Sequence, residues 1–291
     1  MFKGSFTALI TPFKDGAVDE KTYQSLVQRQ LDAGTDGLVP VGTTGESPTL
    51  SHDEHMRVTE LCIDVARGKV PVIAGTGSNS TEEAIMLQRH AKEAGADAGL
   101  VVTPYYNKPT QAGLTAHYTA IADAVDLPII IYNIPGRSVI DMSVDTMAAL
   151  SKHANIAGVK DATADLVRPL KTLLACGEEF CQLSGEDATV VPFLSQGGHG
   201  CISVTSNIAP EPCAQLHAAW QAGDLAKVAE INARLFPVHD AMFCEASPGP
   251  VKHAAELMGL CTGELRLPLV EITPASKQTV KDALSGAGLL G

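Results

Sequence analysis

The sequence lacks any feature that would place the protein in or across a membrane. No stretch of its 291 residues reaches the roughly 18 to 20 unbroken apolar residues that a membrane-spanning helix needs. The opening segment MFKGSFTALITPF has neither the basic region nor the long apolar stretch of a signal peptide. We therefore expect a cytoplasmic protein with no membrane partner.

The sequence also has little positive charge and no paired cysteine motif. A net charge of −12 and a pI near 5.1 argue against a nucleic-acid partner, which would favour a basic face. An anionic substrate would instead require cations placed locally. The seven cysteines are odd in number and form no CxxC pair, so we expect buried reduced thiols rather than disulfides or a zinc site.

What the sequence does contain is a series of eight short apolar runs rich in β-branched residues. Most are nearly continuous in hydrophobicity, which is typical of parallel strands buried on both faces. Amphipathic segments lie between them, and Ser51 with Glu54 and Ser80 with Glu83 have the spacing of capping boxes at helix starts. The runs are SFTALITPF (5–13), DGLVPVG (36–42), PVIAGTG (71–77), AGLVVTP (98–104), PIIIYNI (128–134), IAGVKDA (156–162), EFCQLSG (179–185) and GCISVTS (200–206).

This alternation of strands and helices predicts a (β/α)8 or TIM barrel, whose usual size is ~200 to 250 residues. A doubly wound open sheet is the alternative, but no GxGxxG motif opens a helix after the first strand. From Pro210 onward the segments are helix-like and contain no strand pattern. We predict a catalytic barrel over residues 1–224 and a small C-terminal helical region over residues 225–291.

Lys160 is the most unusual residue of the predicted strands. It stands in the otherwise apolar run IAGVKDA, where an uncompensated ammonium group would be costly to bury. Burial favours the neutral amine, which can attack a ketone to form an imine. Because catalytic groups of such barrels lie at the carboxyl ends of the strands, Lys160 is a candidate Schiff-base lysine. A structural ion pair with Asp161 or another carboxylate is the alternative.

Two further strand ends carry polar groups of matching chemistry. GTTGES (42–47) places Thr43 and Thr44 between glycines, an arrangement suited to a carboxylate, although a phosphate loop or a simple glycine-rich turn is also compatible. YNIPGRS supplies Tyr132 and Arg137, which taken singly are more typical of a core phenol and a surface cation. Together with Lys160 they indicate carbonyl chemistry on carboxylated substrates.

The motifs GTTGES, YNIPGR, GVKDAT and GGHGCISVTSN, in this order, resemble those of the dihydrodipicolinate synthase family. That family lies within the pyruvate-dependent class I aldolase group, which includes N-acetylneuraminate lyase, and the likeness covers essentially the whole chain. Arg137 carries the narrower assignment, because sugar-acid lyases of the group typically lack it. The alternatives are another pyruvate-dependent aldolase or lyase acting on a sugar acid or hydroxy-keto acid, and a catalytically silent sensor built on the same barrel.

The resemblance implies a reaction and a set of site residues. Pyruvate would form a Schiff base and be condensed with L-aspartate 4-semialdehyde, a step of diaminopimelate and lysine biosynthesis. No organic cofactor or catalytic metal is expected. The implied roles are Schiff-base formation by Lys160, proton relay by Tyr132, Thr43 and Tyr106, binding of the pyruvate carboxylate by Thr44, binding of the semialdehyde carboxylate by Arg137, and backbone lining of the site by Gly185 and Ile202.

The resemblance also implies regulation and assembly. L-Lysine would act as a feedback inhibitor at a dimer interface, where Glu83 would meet its amino group. Pro48 departs from the small residue common at that position, which leaves the strength of inhibition open. A homotetramer built as a dimer of dimers is implied, with Tyr106 reaching into a neighbouring subunit's site. The residues that match the lysine site are Ser47, His52, His55, Asn79, Glu83 and Tyr105.

Overall fold

The computed structural model describes residues 2–290, which fall into two compact units. One unit comprises Pro71–Ile202 with the residues before Gly4, and the other comprises Gly4–Val70 with the chain from Ser203 onward. The boundary predicted after residue 224 separates the barrel sequence from the C-terminal helical sequence, whereas these two units are defined by their internal contacts. The predicted boundary therefore stays a prediction.

Each of the eight predicted runs overlaps a strand of one sheet. The strands neighbour one another in the order β2–β1–β8–β7–β6–β5–β4–β3, and the registered pairs among them are parallel. This cyclic order, with helices between the strands, is the predicted (β/α)8 barrel. A separate antiparallel pair is formed by Phe13–Lys14 and Ala17–Val18. The strands of the main sheet are β1 (Gly4–Ala8), β2 (Gly37–Val39), β3 (Ile73–Gly75), β4 (Ala98–Val102), β5 (Ile129–Asn133), β6 (Ile156–Asp161), β7 (Cys181–Ser184) and β8 (Gly200–Ser203).

Helices are found between the strands, as the amphipathic segments predict, and the helix-like sequence from Pro210 onward forms the last four helices. No helix within residues 2–290 is long and apolar enough to cross a membrane. Short 3₁₀ turns cover Thr43–Gly45, Ser47–Thr49 and Thr205–Asn207. The helices are α1 (Glu20–Asp32), α2 (His52–Ala66), α3 (Thr81–Ala94), α4 (Gln111–Ala124), α5 (Pro135–Ser138), α6 (Val144–Leu150), α7 (Arg168–Cys176), α8 (Val190–Ser195), α9 (Pro210–Gln221), α10 (Leu225–Ala241), α11 (Gly249–Leu257) and α12 (Pro274–Gly286).

The two predicted capping boxes differ. At α2 both hydrogen bonds of the capping box form: the Ser51 hydroxyl accepts from the Glu54 N–H, and the Glu54 carboxylate accepts from the Ser51 N–H. At α3 the Ser80 hydroxyl accepts from the Glu83 N–H at 3.5 Å, but the Ser80 N–H donates to the Ser78 hydroxyl. The Glu83 carboxylate accepts from the same Ser78 hydroxyl. A neighbouring serine thus takes part of the role that the pattern assigned to Glu83.

The seven cysteines are reduced thiols, as predicted. Cys62, Cys181, Cys201 and Cys213 are buried, and burial raises the pKa of Cys62 and of Cys181 to about 12. Cys176 and Cys261 are half-buried and Cys244 is exposed, so the expectation of burial does not hold for these three.

Asn207 completes the hydrogen bonding beyond the end of β1. Its side chain is buried, and its Oδ1 accepts from the Ile10 N–H at 3.0 Å. Its Nδ2 donates to the carbonyls of Ala8 and Val204 at 2.7 and 2.9 Å. The amide therefore replaces the strand neighbour that these backbone groups would otherwise need.

We expect Asn207→Ala to lower the free energy of unfolding by about 3 kcal/mol, because buried backbone groups at Ile10 and Ala8 lose their partners. Urea denaturation followed by circular dichroism measures this loss. The control is Gln278→Ala, which removes an exposed hydrogen bond to Asp282 and should change the free energy by less than about 0.5 kcal/mol. Equal losses in the two variants would contradict this role for Asn207.

Candidate active site

Lys160 lies near the carboxyl end of β6 and is only 5% exposed. Its register partner on β5 is Tyr132, which is also buried. The Lys160 Nζ lies 4.3 Å from the centroid of the Tyr132 ring, within the range of a cation–π contact. Parallel pairing therefore brings the predicted Schiff-base lysine and the predicted proton-transfer phenol into contact.

Asp161, the next residue, is paired with a different cation. Its Oδ2 lies 3.1 Å from the Nε of Arg168, which begins α7. Successive side chains of a strand point to opposite faces, so Asp161 does not share the face of Lys160. Among residues 2–290, no ion pair of Lys160 is found, and the alternative of a Lys160–Asp161 pair is not observed.

A polar network extends from the buried Asp161 to the exposed Asp141. Arg168 Nη1 also contacts Asp141 Oδ2 at 3.0 Å, and Asp141 Oδ1 accepts from the Asn133 amide at 2.7 Å. Asp161 Oδ1 accepts from the N–H and the hydroxyl of Thr163, at 2.9 and 2.6 Å. Burial raises the pKa of Asp161, while the Thr163 hydrogen bonds and Arg168 oppose that rise. The network ties together the carboxyl ends of β5 and β6, which carry the Tyr–Lys contact.

Gly185 follows β7 at a point where no side chain fits. Its N–H donates to the Asp161 carbonyl at 2.6 Å. A Cβ at this position would lie 2.6 Å from the Ala162 Cβ and 3.1 Å from the Asp161 carbonyl oxygen. Ile202 is fully buried in β8. Both residues thus lie at carboxyl ends of strands, where their predicted backbone roles require them.

Arg137 and Tyr106 lie on the loops that follow β5 and β4. Arg137 belongs to the short helix α5 and is exposed. Tyr106 is 89% exposed, with a φ of 72°, at the centre of a tight turn in which the Asn107 N–H donates to the Tyr105 carbonyl. Tyr106 therefore takes no part in the Lys160–Tyr132 contact.

Thr43 and Thr44 form the first two residues of a 3₁₀ turn in the other unit. Thr44 is buried, and the turn is closed by a hydrogen bond from the Gly45 N–H to the Gly42 carbonyl at 3.1 Å. The Thr11 hydroxyl donates to the Gly45 carbonyl at 2.8 Å. GTTGES is thus a well-anchored turn that follows β2.

The six residues that match a lysine site fall into two groups, one in each unit. In the first group, the Asn79 amide donates to the Tyr105 carbonyl at 3.3 Å, and Glu83 lies in the first turn of the adjacent α3. In the second, one residue begins a 3₁₀ turn and two lie in the first turn of α2. This second group is Ser47, His52 and His55.

Two residues were missed by reasoning from the sequence. Glu186 follows β7, and burial raises the pKa of its carboxyl group. The nearby Lys160 and Arg137 lower this pKa, while Asp187 raises it. The sequence feature that could have indicated Glu186 is the acidic pair Glu186–Asp187, which follows LSG at the end of a predicted strand. Arg168 was missed as well, although a carboxylate at Asp161 in a buried strand already called for a cation.

The chain is similar to known proteins over essentially its whole length. The 4-hydroxy-tetrahydrodipicolinate synthase of Rhodospirillum centenum is 65% identical over 290 residues, with 100% of each chain covered. The crystal structure of a chloride-inhibited dihydrodipicolinate synthase from Acinetobacter baumannii complexed with pyruvate is 45% identical, with a TM-score of 0.97 and 100% of each chain covered. A structure of the enzyme from Cyanidioschyzon merolae with lysine bound is 39% identical, with a TM-score of 0.96 and 99% of each chain covered.

The fold and these relatives define a Schiff-base-forming lyase or synthase on a (β/α)8 barrel. More narrowly, the chain belongs to the dihydrodipicolinate synthetase family, whose model matches residues 1–287. The predicted family, enzyme class and synthase activity are thereby confirmed.

Replacing Arg168 by Met leaves the buried Asp161 carboxylate without its cation, and we expect a loss of about 3 kcal/mol of unfolding free energy at pH 7. The pKa of Asp161 is already raised by burial, and removal of the cation raises it further. An acid with a higher pKa in the folded state favours folding as the pH falls, so the loss should be smaller at pH 5 than at pH 7.

Urea denaturation at the two pH values measures this difference between the Arg168→Met variant and the wild type. The control is Arg168→Met combined with Asp161→Asn, in which the buried carboxylate is absent and only the half-exposed Asp141 still loses its cation, so the loss should depend much less on pH than in the single variant. A loss in the single variant that is equal at both pH values would contradict the assigned pairing.

Proposed function

We propose that the chain forms a Schiff base between Lys160 and pyruvate and condenses it with L-aspartate 4-semialdehyde. The observation that carries the proposal is the buried Lys160 amine, which lies beside Tyr132 while the neighbouring Asp161 is paired with Arg168. An amine that is not held by its neighbouring carboxylate is suited to attack a ketone. The pyruvate complex of the Acinetobacter baumannii relative supports the choice of ketone.

The proposed reaction involves no oxidation or reduction. The Lys160 amine adds to the pyruvate carbonyl and water leaves, which gives the imine. Loss of a methyl proton gives an enamine, whose carbon attacks the aldehyde of the second substrate and leaves a hydroxyl group there. The substrate's amino group then attacks the imine carbon, displaces the Lys160 amine and closes the ring.

Proton transfer is assigned to Tyr132, because its ring contacts the Lys160 amine. A phenol is a poor base at neutral pH and needs hydrogen-bonding neighbours to move protons. We assign that relay to Thr43 and Tyr106. Thr44 would bind the pyruvate carboxylate, and the backbone of Gly185 and Ile202 would line the site.

The exposure of Tyr106 is consistent with a relay that is completed by a second copy of the chain. Apolar side chains at and along α7 are also exposed at helical spacing, namely Val167, Leu170 and Leu174. Exposed apolar stripes of this kind favour association. We therefore propose a homotetramer built as a dimer of dimers. A cytoplasmic location is supported by the seven reduced thiols, which suit a reducing compartment.

The direct test is condensation of pyruvate with L-aspartate 4-semialdehyde, followed through a reductase that consumes the cyclic product. Turnover that requires both substrates supports the proposal. Turnover with a sugar-derived or other aldehyde, but none with the semialdehyde, would move the chain to another activity of the aldolase group.

We expect Arg137→Ala to raise the KM for the semialdehyde at least tenfold while leaving the half-saturating pyruvate concentration for imine trapping within about twofold. The reason is that the guanidinium would bind only the second substrate's carboxylate. Steady-state kinetics and borohydride trapping measure the two quantities. Lys281→Ala, which removes an exposed cation of α12, is the control and should change neither. Equal losses for both substrates would refute this role of Arg137.

We also propose that L-lysine inhibits the enzyme through the six residues named above. The lysine-bound relative from Cyanidioschyzon merolae supports such an effector. Glu83→Gln should raise the lysine concentration for half inhibition at least tenfold, because an ammonium group loses its carboxylate partner. Turnover of each variant is compared with its own rate without lysine. Unchanged inhibition in Glu83→Gln would remove Glu83 from the site, and the matched control is Glu82→Gln on the same turn.

A further inference from the structure

Glu46 is a buried carboxylate that the proposed reaction does not use. It follows Thr43–Gly45 directly, has a φ of 55°, and joins the two 3₁₀ turns Thr43–Gly45 and Ser47–Thr49. The Glu46 N–H donates to the Thr43 carbonyl at 3.1 Å, and the Glu46 carbonyl accepts from the Thr49 N–H at 3.0 Å. A non-glycine residue in the left-handed region is strained, so the surrounding structure must hold it there.

The Glu46 side chain is anchored by the C-terminal helical region. Lys252 of α11 contacts Glu46 Oε1 at 2.6 Å, and both side chains are fully buried, at 1% and 0% exposure. The backbone N–H of Arg266 donates to the other oxygen, Oε2, at 3.1 Å. Both carboxylate oxygens of Glu46 are therefore fixed, one by a cation and one by the backbone.

Arg266 anchors the second turn in the same way. Its guanidinium donates to the Thr49 carbonyl at 2.9 Å and forms a two-pronged pair with Glu54 of α2, at 2.7 and 2.6 Å. The Lys252 ammonium and the Arg266 guanidinium lie 4.2 and 4.3 Å from the centroid of the Phe13 ring. The ring helps to compensate the burial of the positive charge.

We infer that Glu46, Lys252 and Arg266 are positioning residues that hold the Thr43–Thr44 turn in the conformation that binds the pyruvate carboxylate. Glu46 and Lys252 are 206 residues apart in sequence, so the C-terminal helical region fixes the geometry of a substrate-binding turn. Well-packed apolar side chains would stabilise this region as well as the ion pair does, which makes a buried ion pair a poor choice for stability alone. This inference rests on the proposed pyruvate-binding role of Thr44.

The test is Lys252→Met, which nearly keeps the length of the side chain and leaves Glu46 buried without a cation. The readout is borohydride trapping of pyruvate on Lys160 over a range of pyruvate concentrations. The half-saturating pyruvate concentration should rise at least tenfold, while the KM for the semialdehyde at saturating pyruvate changes less than threefold. When Lys252→Met is combined with Glu46→Gln, the unpaired charge is gone and the new side-chain amide oxygen still accepts from the Arg266 N–H, so most of the loss should be recovered.

The control for stability is Val280→Ala, which truncates a buried side chain of α12 in the same core cluster as Val251 of α11. It should lower the melting temperature without changing the half-saturating pyruvate concentration. If Lys252→Met does not fold, Glu46→Gln alone carries the test, with a smaller expected rise of about threefold. If the wild type is trapped with pyruvate but the half-saturating pyruvate concentration is unchanged in Lys252→Met or Glu46→Gln, this inference is wrong and the proposed function stands. If the wild type is not trapped at all, the proposed function is wrong.

Discussion

The structure of the candidate site depends on a buried lysine amine that forms no ion pair within residues 2–290, although the Glu186 carboxylate lies close enough for the lysine to lower its pKa. Lys160 is 5% exposed on β6, and its Nζ lies 4.3 Å from the Tyr132 ring centroid. The nearest carboxylate in sequence, Asp161, is on the other face of the strand and is bound by Arg168. Imine formation requires an amine nitrogen that a ketone can reach, and the pairing of Asp161 with Arg168 leaves the Lys160 nitrogen without an ion pair to its neighbour in sequence. The remaining features of this unit, including the close approach at Gly185, hold the ends of β5, β6 and β7 in register around that amine.

The protein handles its two fully or nearly buried lysines in opposite ways. Lys252 is paired with Glu46 at 2.6 Å, and burial lowers its pKa while Glu46 raises it. Its charge is therefore compensated, and it serves to anchor the GTTGES turn. Lys160 also contacts an aromatic ring, but it forms no ion pair within residues 2–290, and its nitrogen therefore stays available for chemistry. Burial alone does not make a lysine a nucleophile, because the presence or absence of a carboxylate partner decides its role.

Much of this arrangement could be predicted from the sequence, because the signals are local. Continuous apolar runs mark the eight strands, and a single lysine inside such a run is conspicuous. Contacts between distant segments could not be predicted in the same way. The pairing of Asp161 with Arg168 depends on how residues 162–167 turn, and that of Glu46 with Lys252 joins positions separated by most of the chain. The hydrophobic periodicity of the sequence does not identify such partners. A buried carboxylate requires a cation nearby, but the sequence does not show which lysine or arginine supplies it.

The most direct measurement of the central claim is reduction of the protein with borohydride in the presence of pyruvate, followed by peptide mapping. The account predicts a single carboxyethyl group on the Lys160 peptide, since reduction of a pyruvate imine leaves that group on the amine. Lys252, which is buried but salt-bridged, should remain unmodified. Modification of Lys252 in place of Lys160, or no stable adduct at all, would contradict the assignment of Lys160 as the Schiff-base lysine.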